Sequence, residues 1–307
     1  MSVSLTSTYS GEFSGKYLAA ALLSASTLES GAITILPNVK FKSVIQKGAT
    51  DDIVKDASCD FVTNQGTLTL TEAILTPDEF QVNLQLCKKD LHNSWEAEQM
   101  GYSAFDNLAP TFAEFVIAHV AAKVADKTEK NIWQGATANS GEFDGFEAKL
   151  LADATVVDVA GAAVTSANVI AEMGKTVDAI PTEVYGKEDL ALYVSSNVAR
   201  AYIRALGGFA SGIGANGADN KGTTWFNGQE LSFDGIQVIV AKGMNDDRMI
   251  AAQKSNLYFG TGLLNDQNEV KVIDMSDIDG SQNVRVVMRF TAGVQHVWGA
   301  DIVYYNS

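Results

Sequence analysis

The chain has 307 residues, of which 46% are hydrophobic and 19% are charged, the composition of a folded globular protein with one elaborate domain or two modest ones. With 22 basic and 37 acidic side chains it carries a net charge of −15, which excludes a protein built to grip phosphate backbones through a basic surface. Two cysteines and three histidines are too few for a disulfide framework or a zinc cluster, so we expect no enzyme, no cofactor and no metal site.

The start of the chain predicts neither secretion nor membrane insertion. The first four residues lack the basic and apolar parts of a signal peptide, and no run of about 18 apolar residues follows anywhere. We therefore expect Cys59 and Cys87 to be free thiols in a reducing cytoplasm.

The amino-terminal third predicts an arm followed by strands. Residues 15–28 carry Leu and Tyr at helical spacing within a Ser/Thr-rich stretch, which indicates an extended arm with one short helix. Strands are predicted over 33–36 and, with a weaker pattern, over 39–45. Residues 46–66 are polar and predict a long mobile excursion with four acidic side chains, Asp51, Asp52, Asp56 and Asp60.

Two runs after this excursion alternate strictly with period two. In residues 67–71 threonines alternate with leucines, and residues 80–87 alternate apolar with polar side chains. These Thr-faced strands indicate either a hairpin on the chain's own sheet or an arm that lies on a neighbour, and the pattern leaves both open. Because a two-stranded arm is marginal alone, another copy of the chain is the simplest support for it.

The strongest predicted helix follows Pro110 and ends near Gly135. Thr111 and Glu114 fit a capping box at its first turn. At about 1.5 Å per residue it would be roughly 34 Å long, the length of a central spine. His119 beside its apolar stripe is interpreted as packed or partly exposed rather than catalytic. The stripe repeats at every fourth residue through Phe112, Val116, Val120 and Val124.

Residues 136–165 give no clear pattern, and a helix-covered sheet is predicted after them. Helices are expected from Thr165 or Ser166 to residue 180 and from Ser195 or Ser196 to residue 206, with a strand at 191–194 between them. This order indicates an α/β or α+β element. The predicted buried faces are Val169, Ile170, Met173, Val177 and Ile180 in the first helix and Val198, Tyr202, Ile203 and Leu206 in the second.

The last third predicts strands at 230–240, 249–252, 257–259 and 269–274, then a long return run. Even positions from Val284 to Tyr304 are almost all apolar or aromatic, with His296 among them. One strand of that length would exceed about 65 Å, so Gly293 and Gly299 are predicted to mark a bend or hairpin. These last strands are expected to return to the spine helix.

Two formal motifs fail on context. Residues 212–217 match a dinucleotide fingerprint, but a helix precedes them and none follows, so a flexible loop is predicted. The cluster of Asp274, Asp277 and Asp279 lacks the ligand register of a calcium loop and predicts a solvated turn.

Cross-linking chemistry is open to lysines of the excursion, Lys47 and Lys55, but nothing in their spacing argues for it. His92 and His296 lack a nucleophile partner and are interpreted as structural.

The order of elements resembles that of tailed-bacteriophage major capsid proteins of the Hong Kong 97 type. Locally, SNLYFGTGLLNDQNEVKVIDMSDIDGSQNVRVVMRF at 255–290 and LALYVSSNVARAYIRAL at 190–206 are similar to segments of that family. The resemblance implies an α+β fold with five parts: an N-terminal arm at 1–35, an E-loop β-hairpin with flanking strands at 40–88, a P-domain with the spine helix at 89–149, an A-domain of helix-covered sheet at 150–250, and return strands at 251–307 that complete the P-domain.

This resemblance implies a structural role without catalysis. Many copies would assemble as pentamers and hexamers into an icosahedral head that encloses double-stranded phage DNA without sequence-specific binding, in the virion and, during assembly, in the host bacterial cytoplasm. Scaffolding, portal and decoration proteins are further candidate partners, and no catalytic, cofactor or metal residue is carried over. The acidic charge agrees with this role, because a wall that bound packaged DNA would hinder packaging and release.

Two other functions compete with this interpretation. One is an encapsulin-like nanocompartment that encloses a cargo enzyme, and the other is an enzyme with a loop-borne site around 207–222. Particle size and content separate the first from a phage head, and a pocket with convergent titratable groups would favour the second. A tail-tube or adhesin subunit would lack the long spine helix.

Overall fold

The computed structural model describes residues 26–39, 41–50, 54, 56–57, 59, 68–87, 110–206, 231–262 and 271–307. Within these ranges the helices are α1 (Ser26–Glu29), α2 (Pro110–Gln134), α3 (Phe146–Ala152), α4 (Val169–Asp178), α5 (Ser196–Leu206) and α6 (Ser276–Asp279). The strands are β1 (Thr34–Leu36), β2 (Ser43–Thr50), β3 (Leu68–Leu75), β4 (Asp78–Cys87), β5 (Val157–Ala160), β6 (Leu190–Val194), β7 (Leu231–Phe233), β8 (Ile236–Val240), β9 (Met249–Gln253), β10 (Leu257–Thr261), β11 (Lys271–Asp274), β12 (Asn283–His296) and β13 (Val303–Asn306).

The first sheet is organised around the long strand β12. One edge of β12 pairs antiparallel with β4, and the other edge pairs antiparallel with β11 and β10. The short strand β1 adds to β10 in parallel. The predicted alternation is confirmed along β12, where Val284, Val286 and Met288 are buried.

Gly293 does not end this strand as the sequence predicted. Gly293 lies inside β12 and pairs with Gly260 of the neighbouring strand β10. A Cβ atom at position 293 would lie 2.9 Å from Cα of Pro77 and 3.0 Å from the carbonyl oxygen of Thr76. Glycine is therefore needed because the corner between β3 and β4 crosses the strand at this point. The turn comes later, in the 3₁₀ segment Gly299–Asp301 that separates β12 from β13.

We expect Gly293→Ala to lower the melting temperature of the subunit by several degrees. Both clashing groups are backbone atoms, which cannot rotate away, so the substitution should cost about 1–3 kcal/mol. Gly174→Ala is the matched control, because a Cβ atom there meets nothing within 4 Å and alanine favours the helix α4. Thermal unfolding of both variants tests this, and an unchanged Gly293→Ala transition would contradict the close approach.

The second sheet has the strand order β5-β13-β9-β6-β8-β7. Its central strand β6 is buried at all five positions because the sheet is covered on both faces. Helices α4 and α5 cover one face, as the sequence predicted, through buried side chains that include Met173, Val177, Val198 and Tyr202.

Four details of this half differ from the sequence prediction. Helix α4 begins at Val169 rather than at a cap on Thr165 or Ser166, because the N–H and hydroxyl of Thr165 donate to Oδ1 of Asn168 in the preceding turn, at 2.7 and 2.9 Å. Ile170 and Leu206 are about half exposed, because each lies at the rim of its helix rather than on the buried face.

The other two differences concern strands. The strand predicted over 230–240 is a hairpin of β7 and β8, because Asp234 and Gly235 form a two-residue turn with φ of 47° and 80°. The last strand, β13, returns to the region of the spine helix, where Tyr304 shares a core with Ile132 and Trp133, but it does so as part of the second sheet, paired with β5 and β9. Its Tyr304 and Tyr305 alternate between the two buried faces of that sheet, which fixes it there.

Helix α2 confirms the predicted spine, and at 25 residues it is about 37 Å long. Its carboxyl-terminal end joins the two sheets, since Trp133 is fully buried with ring centroids 5.5 Å from Phe146 of α3 and 5.3 Å from Tyr193 of β6. One apolar core thus contains residues of α2, α3 and both sheets. In the part of the chain that is described, no helix is long and apolar enough to cross a bilayer.

Two buried carboxylates of these helices hold distant segments. Glu129 of α2 accepts hydrogen bonds from the backbone N–H and hydroxyl of Thr27, at 3.1 and 2.6 Å, and so fixes the short helix α1. Glu147 of α3 accepts from the N–H and side-chain amide of Asn245, at 2.8 and 2.7 Å. Burial raises the pKa of both carboxyls. Residues 15–25 of the predicted arm helix lie outside the described residues.

Candidate assembly surface

Strands β2 and β3 form a separate antiparallel hairpin. The predicted excursion from residue 46 is wrong for its first five residues, because β2 continues to Thr50 and pairs with β3 throughout. The register places alternate pairs on two faces. We call the first the outer face (Val44, Gln46, Gly48, Thr50, Leu68, Leu70, Glu72 and Ile74) and the second the inner face (Ser43, Ile45, Lys47, Ala49, Thr69, Thr71, Ala73 and Leu75).

The inner face anchors the root of the hairpin in the subunit. Leu75 is fully buried and packs over Gly260 of β10, and Ala73 is also buried. Farther out, the ammonium of Lys47 donates to the carbonyl oxygen of Val297 at 3.0 Å. The root therefore belongs to the subunit's own core, whereas the outer part of the hairpin extends beyond it.

The outer face exposes apolar side chains to solvent. Leu68 and Leu70 are 67% and 72% exposed, and Val44 and Ile74 are about half exposed. The polar pair Gln46 and Glu72 separates Val44 and Ile74 from the two leucines. Two neighbouring leucines this exposed on a two-stranded hairpin are a candidate interaction surface. The sequence prediction named the threonines of this hairpin, but the apolar surface is made by the leucines that alternate with them.

A second exposed surface lies on the first sheet, where β4 pairs with β12. The pairing places Arg285 opposite Gln85, Val287 opposite Asn83 and Arg289 opposite Gln81. A shallow groove of about 460 Å³ is lined by these side chains other than Gln81, and also by Leu84. We call this surface the basic sheet face. Two arginines at this spacing stand out in a chain whose net charge is −15.

A cavity of about 670 Å³ lies between the hairpin and α3. Its lining includes His296 and Asp153, the one pairing of a histidine with a carboxylate among the described residues. Nε2 of the buried His296 is 2.8 Å from Oδ2 of Asp153, and this hydrogen bond lowers the pKa of Asp153 to about 2. Lys149 donates to Oε1 of Gln295 at 3.1 Å, and burial lowers its pKa. No serine, threonine or cysteine is among the residues that line this cavity.

The structure also places several other residues that the sequence offered as candidates for catalysis, metal binding or disulfide formation. His119 is half-buried on α2, Asp274 is the last residue of β11, and Asp279 is the last residue of the short helix α6. Cys59 and Cys87 are free thiols, as expected. Over the ranges that the structure describes, no group of three His, Cys, Asp or Glu side chains is arranged to hold a metal ion. His92, Lys55, the glycine motif at 212–217 and the loop at 207–222 lie outside the described residues.

Comparison with known proteins gives a match by structure and none by sequence. No family model and no curated protein matches the chain. The capsid protein of a native GTA particle covers 97% of the chain, with 94% of its own length, at a TM-score of 0.65 and 11% identity. The capsid of Myoviridae phage XM1 covers 96% of both chains at a TM-score of 0.60 and 12% identity.

A third match agrees with these two. A structure of Mycobacterium phage Che8 covers 99% of this chain, with 98% of its own length, at a TM-score of 0.54 and 12% identity. At such low identity the likeness shows the fold, and it does so over nearly the full length of both partners. The chain has the α+β Hong Kong 97-like fold of phage capsid proteins.

Proposed function

We propose that this chain is the major capsid protein of a tailed bacteriophage and that it assembles into the icosahedral shell that encloses the genome. The observation that carries the proposal is the end-to-end likeness to capsid chains, with at least 94% of each of the three partner chains covered. A fold alone hosts several functions, and assembly also requires a surface through which copies of the chain bind one another.

The outer face of the hairpin supports assembly with other copies. Its leucines have no cover among the described residues of the subunit, and covering a leucine side chain is worth about 1.5–3 kcal/mol. Many identical contacts of this kind close into a shell when the same surface repeats on every subunit. Pentamers and hexamers are the expected units.

The basic sheet face is the surface of the neighbouring copy that fits the outer face best. Glu72 lies at the centre of the outer face between Leu70 and Ile74, and Arg285 and Arg289 flank Val287 in the groove. Strands of eight and ten residues span about 26 and 33 Å, so the hairpin fits along β4 as one sheet packed on another. Apolar contact and charge complementarity would then act together.

The contents and the location of the shell follow from this proposal. A wall with net charge −15 per subunit holds duplex DNA without adhering to it. The protein would then be found in the virion and, during assembly, in the host bacterial cytoplasm, where scaffolding, portal and decoration proteins are further candidate partners.

Electron microscopy and light scattering of the full chain, purified after expression with its assembly partners, test the proposal. We expect closed particles of uniform diameter that contain nucleic acid, because the outer face needs a second copy to cover it. A monomer that stays stable at every concentration and salt would overturn the proposal. Small shells filled with protein would favour the encapsulin-like compartment instead.

A further inference from the structure

The ammonium of Lys47 lies in a site formed by the body of the subunit. Its Nζ atom donates to the carbonyl oxygen of Val297 at 3.0 Å and is 5.4 Å from the centroid of the Trp298 ring. A carbonyl oxygen and an aromatic face are both attractive to a cation, and together they give the ammonium a defined position.

The segment that receives Lys47 is held in place by side-chain hydrogen bonds. Oδ1 of the buried Asn256 accepts hydrogen bonds from the N–H groups of Val297 and Trp298, at 3.1 and 2.7 Å, and its side-chain amide donates to the Trp298 carbonyl at 2.8 Å. On the other side, His296 is fixed by its bond to Asp153. The position of the acceptor is therefore set by the body of the subunit rather than by the lysine.

The hairpin has little else to fix its direction. Among the described residues, Lys47 is the one side chain of β2 or β3 that hydrogen-bonds to the rest of the subunit. Beside it lies the cavity of about 670 Å³, whose lining includes side chains from both faces of the hairpin root and Ala148 and Lys149 of α3; the hairpin residues are Lys47, Glu72, Ala73 and Ile74. Open space on this side leaves the hairpin room to tilt about its buried root at Leu75.

We propose that Lys47 is a positioning residue for assembly. Seated on Val297 and Trp298, it fixes the tilt of the hairpin over the cavity, so that Leu68 and Leu70 of the outer face point to a neighbouring subunit. Without the ammonium the hairpin samples many directions, and each assembly contact must first select the right one. This inference rests on the proposed function, because it assigns a role to the hairpin contact of the shell.

The experiment measures hairpin direction and assembly separately. Spin labels at Thr69→Cys and Leu151→Cys, in a background with Cys59→Ser and Cys87→Ser, report the distance between the exposed end of the hairpin and α3 in the unassembled full chain. We expect Lys47→Met, which keeps the aliphatic stem, to broaden this distance distribution and to lower particle yield about fivefold. Lys47→Arg should restore both, since it keeps the cation.

The matched control is Lys42→Met, because Lys42 precedes the same hairpin and its Nζ lies 5.2 Å from the ring of the adjacent Phe41 rather than on the body. It should change neither readout. An unchanged distance distribution in Lys47→Met would overturn the proposal, and so would a broadened distribution with normal particle yield. If the unsubstituted chain forms no particles, the proposed function fails, and the spin-label distances still decide whether Lys47 directs the hairpin.

Discussion

Val120→Asp is expected to abolish folding of the subunit rather than to weaken assembly alone. Val120 is 4% exposed at the middle of the spine helix. A carboxylate buried there without a partner costs several kcal/mol, which is a large part of the roughly 5–15 kcal/mol that stabilises a domain. The variant should accumulate as insoluble protein without a cooperative melting transition.

Ala118→Asp is the control for this substitution. Ala118 lies two residues away on the exposed side of the same helix, so the added carboxylate stays in water and costs only the difference in helix propensity, at most about 0.7 kcal/mol. Circular dichroism and thermal unfolding of the two soluble fractions make the comparison. A soluble Val120→Asp subunit that melts like Ala118→Asp would show that this face of the helix is not buried.

Local patterns in the sequence predicted the elements whose burial follows a simple period. The spine helix was predictable because its apolar stripe repeats at i+4 and a glycine follows its end. The alternation of β12 was predictable because one face of the strand is buried. The helices α4 and α5 were predictable in position. Ile170 and Leu206, which are half exposed, show that the apolar pattern of one sequence does not distinguish side chains at the edge of a buried face from those at its centre.

The features that the sequence did not predict depend on contacts between distant residues. Gly293 looked like a turn signal, yet its role comes from the backbone at Thr76 and Pro77 that crosses it. Glu129 looked like one more polar residue of a helix, but Thr27 lies 102 positions away and supplies its hydrogen bonds. No local pattern carries such information, because it arises only when the chain folds.

The candidate site was predictable as a segment but not as a surface. The period-two pattern located β3, and only the register with β2 shows that Leu68 and Leu70 share a face with Val44 and Ile74. The same register places Lys47 on the opposite face, toward Val297. The sequence prediction named the threonines, and the structure shows that the leucines alternating with them form the opposite, outer face of the hairpin.

Shortening the hairpin is expected to stop particle formation while the subunit keeps its fold. The substitution replaces residues 48–70 by Asn-Gly, a two-residue turn that joins Lys47 to its partner Thr71. It removes the exposed leucines of the outer face and leaves the buried Ala73 and Leu75 in place. The melting temperature of the subunit should therefore change by no more than a few degrees, and particle yield should fall below detection.

Point substitutions then separate the two faces of the same strand. Leu68→Ser with Leu70→Ser should lower particle yield by at least about tenfold, because each leucine that a neighbour covers is worth about 1.5–3 kcal/mol. Thr69→Ser with Thr71→Ser changes equally exposed positions of the inner face and should alter the yield by less than about twofold. Equal losses in both pairs would contradict the assignment of the contact to the leucine face. Normal yield from the shortened chain would show that the hairpin takes no part in holding subunits together, and a collapsed melting transition would place its outer half in the subunit's own core.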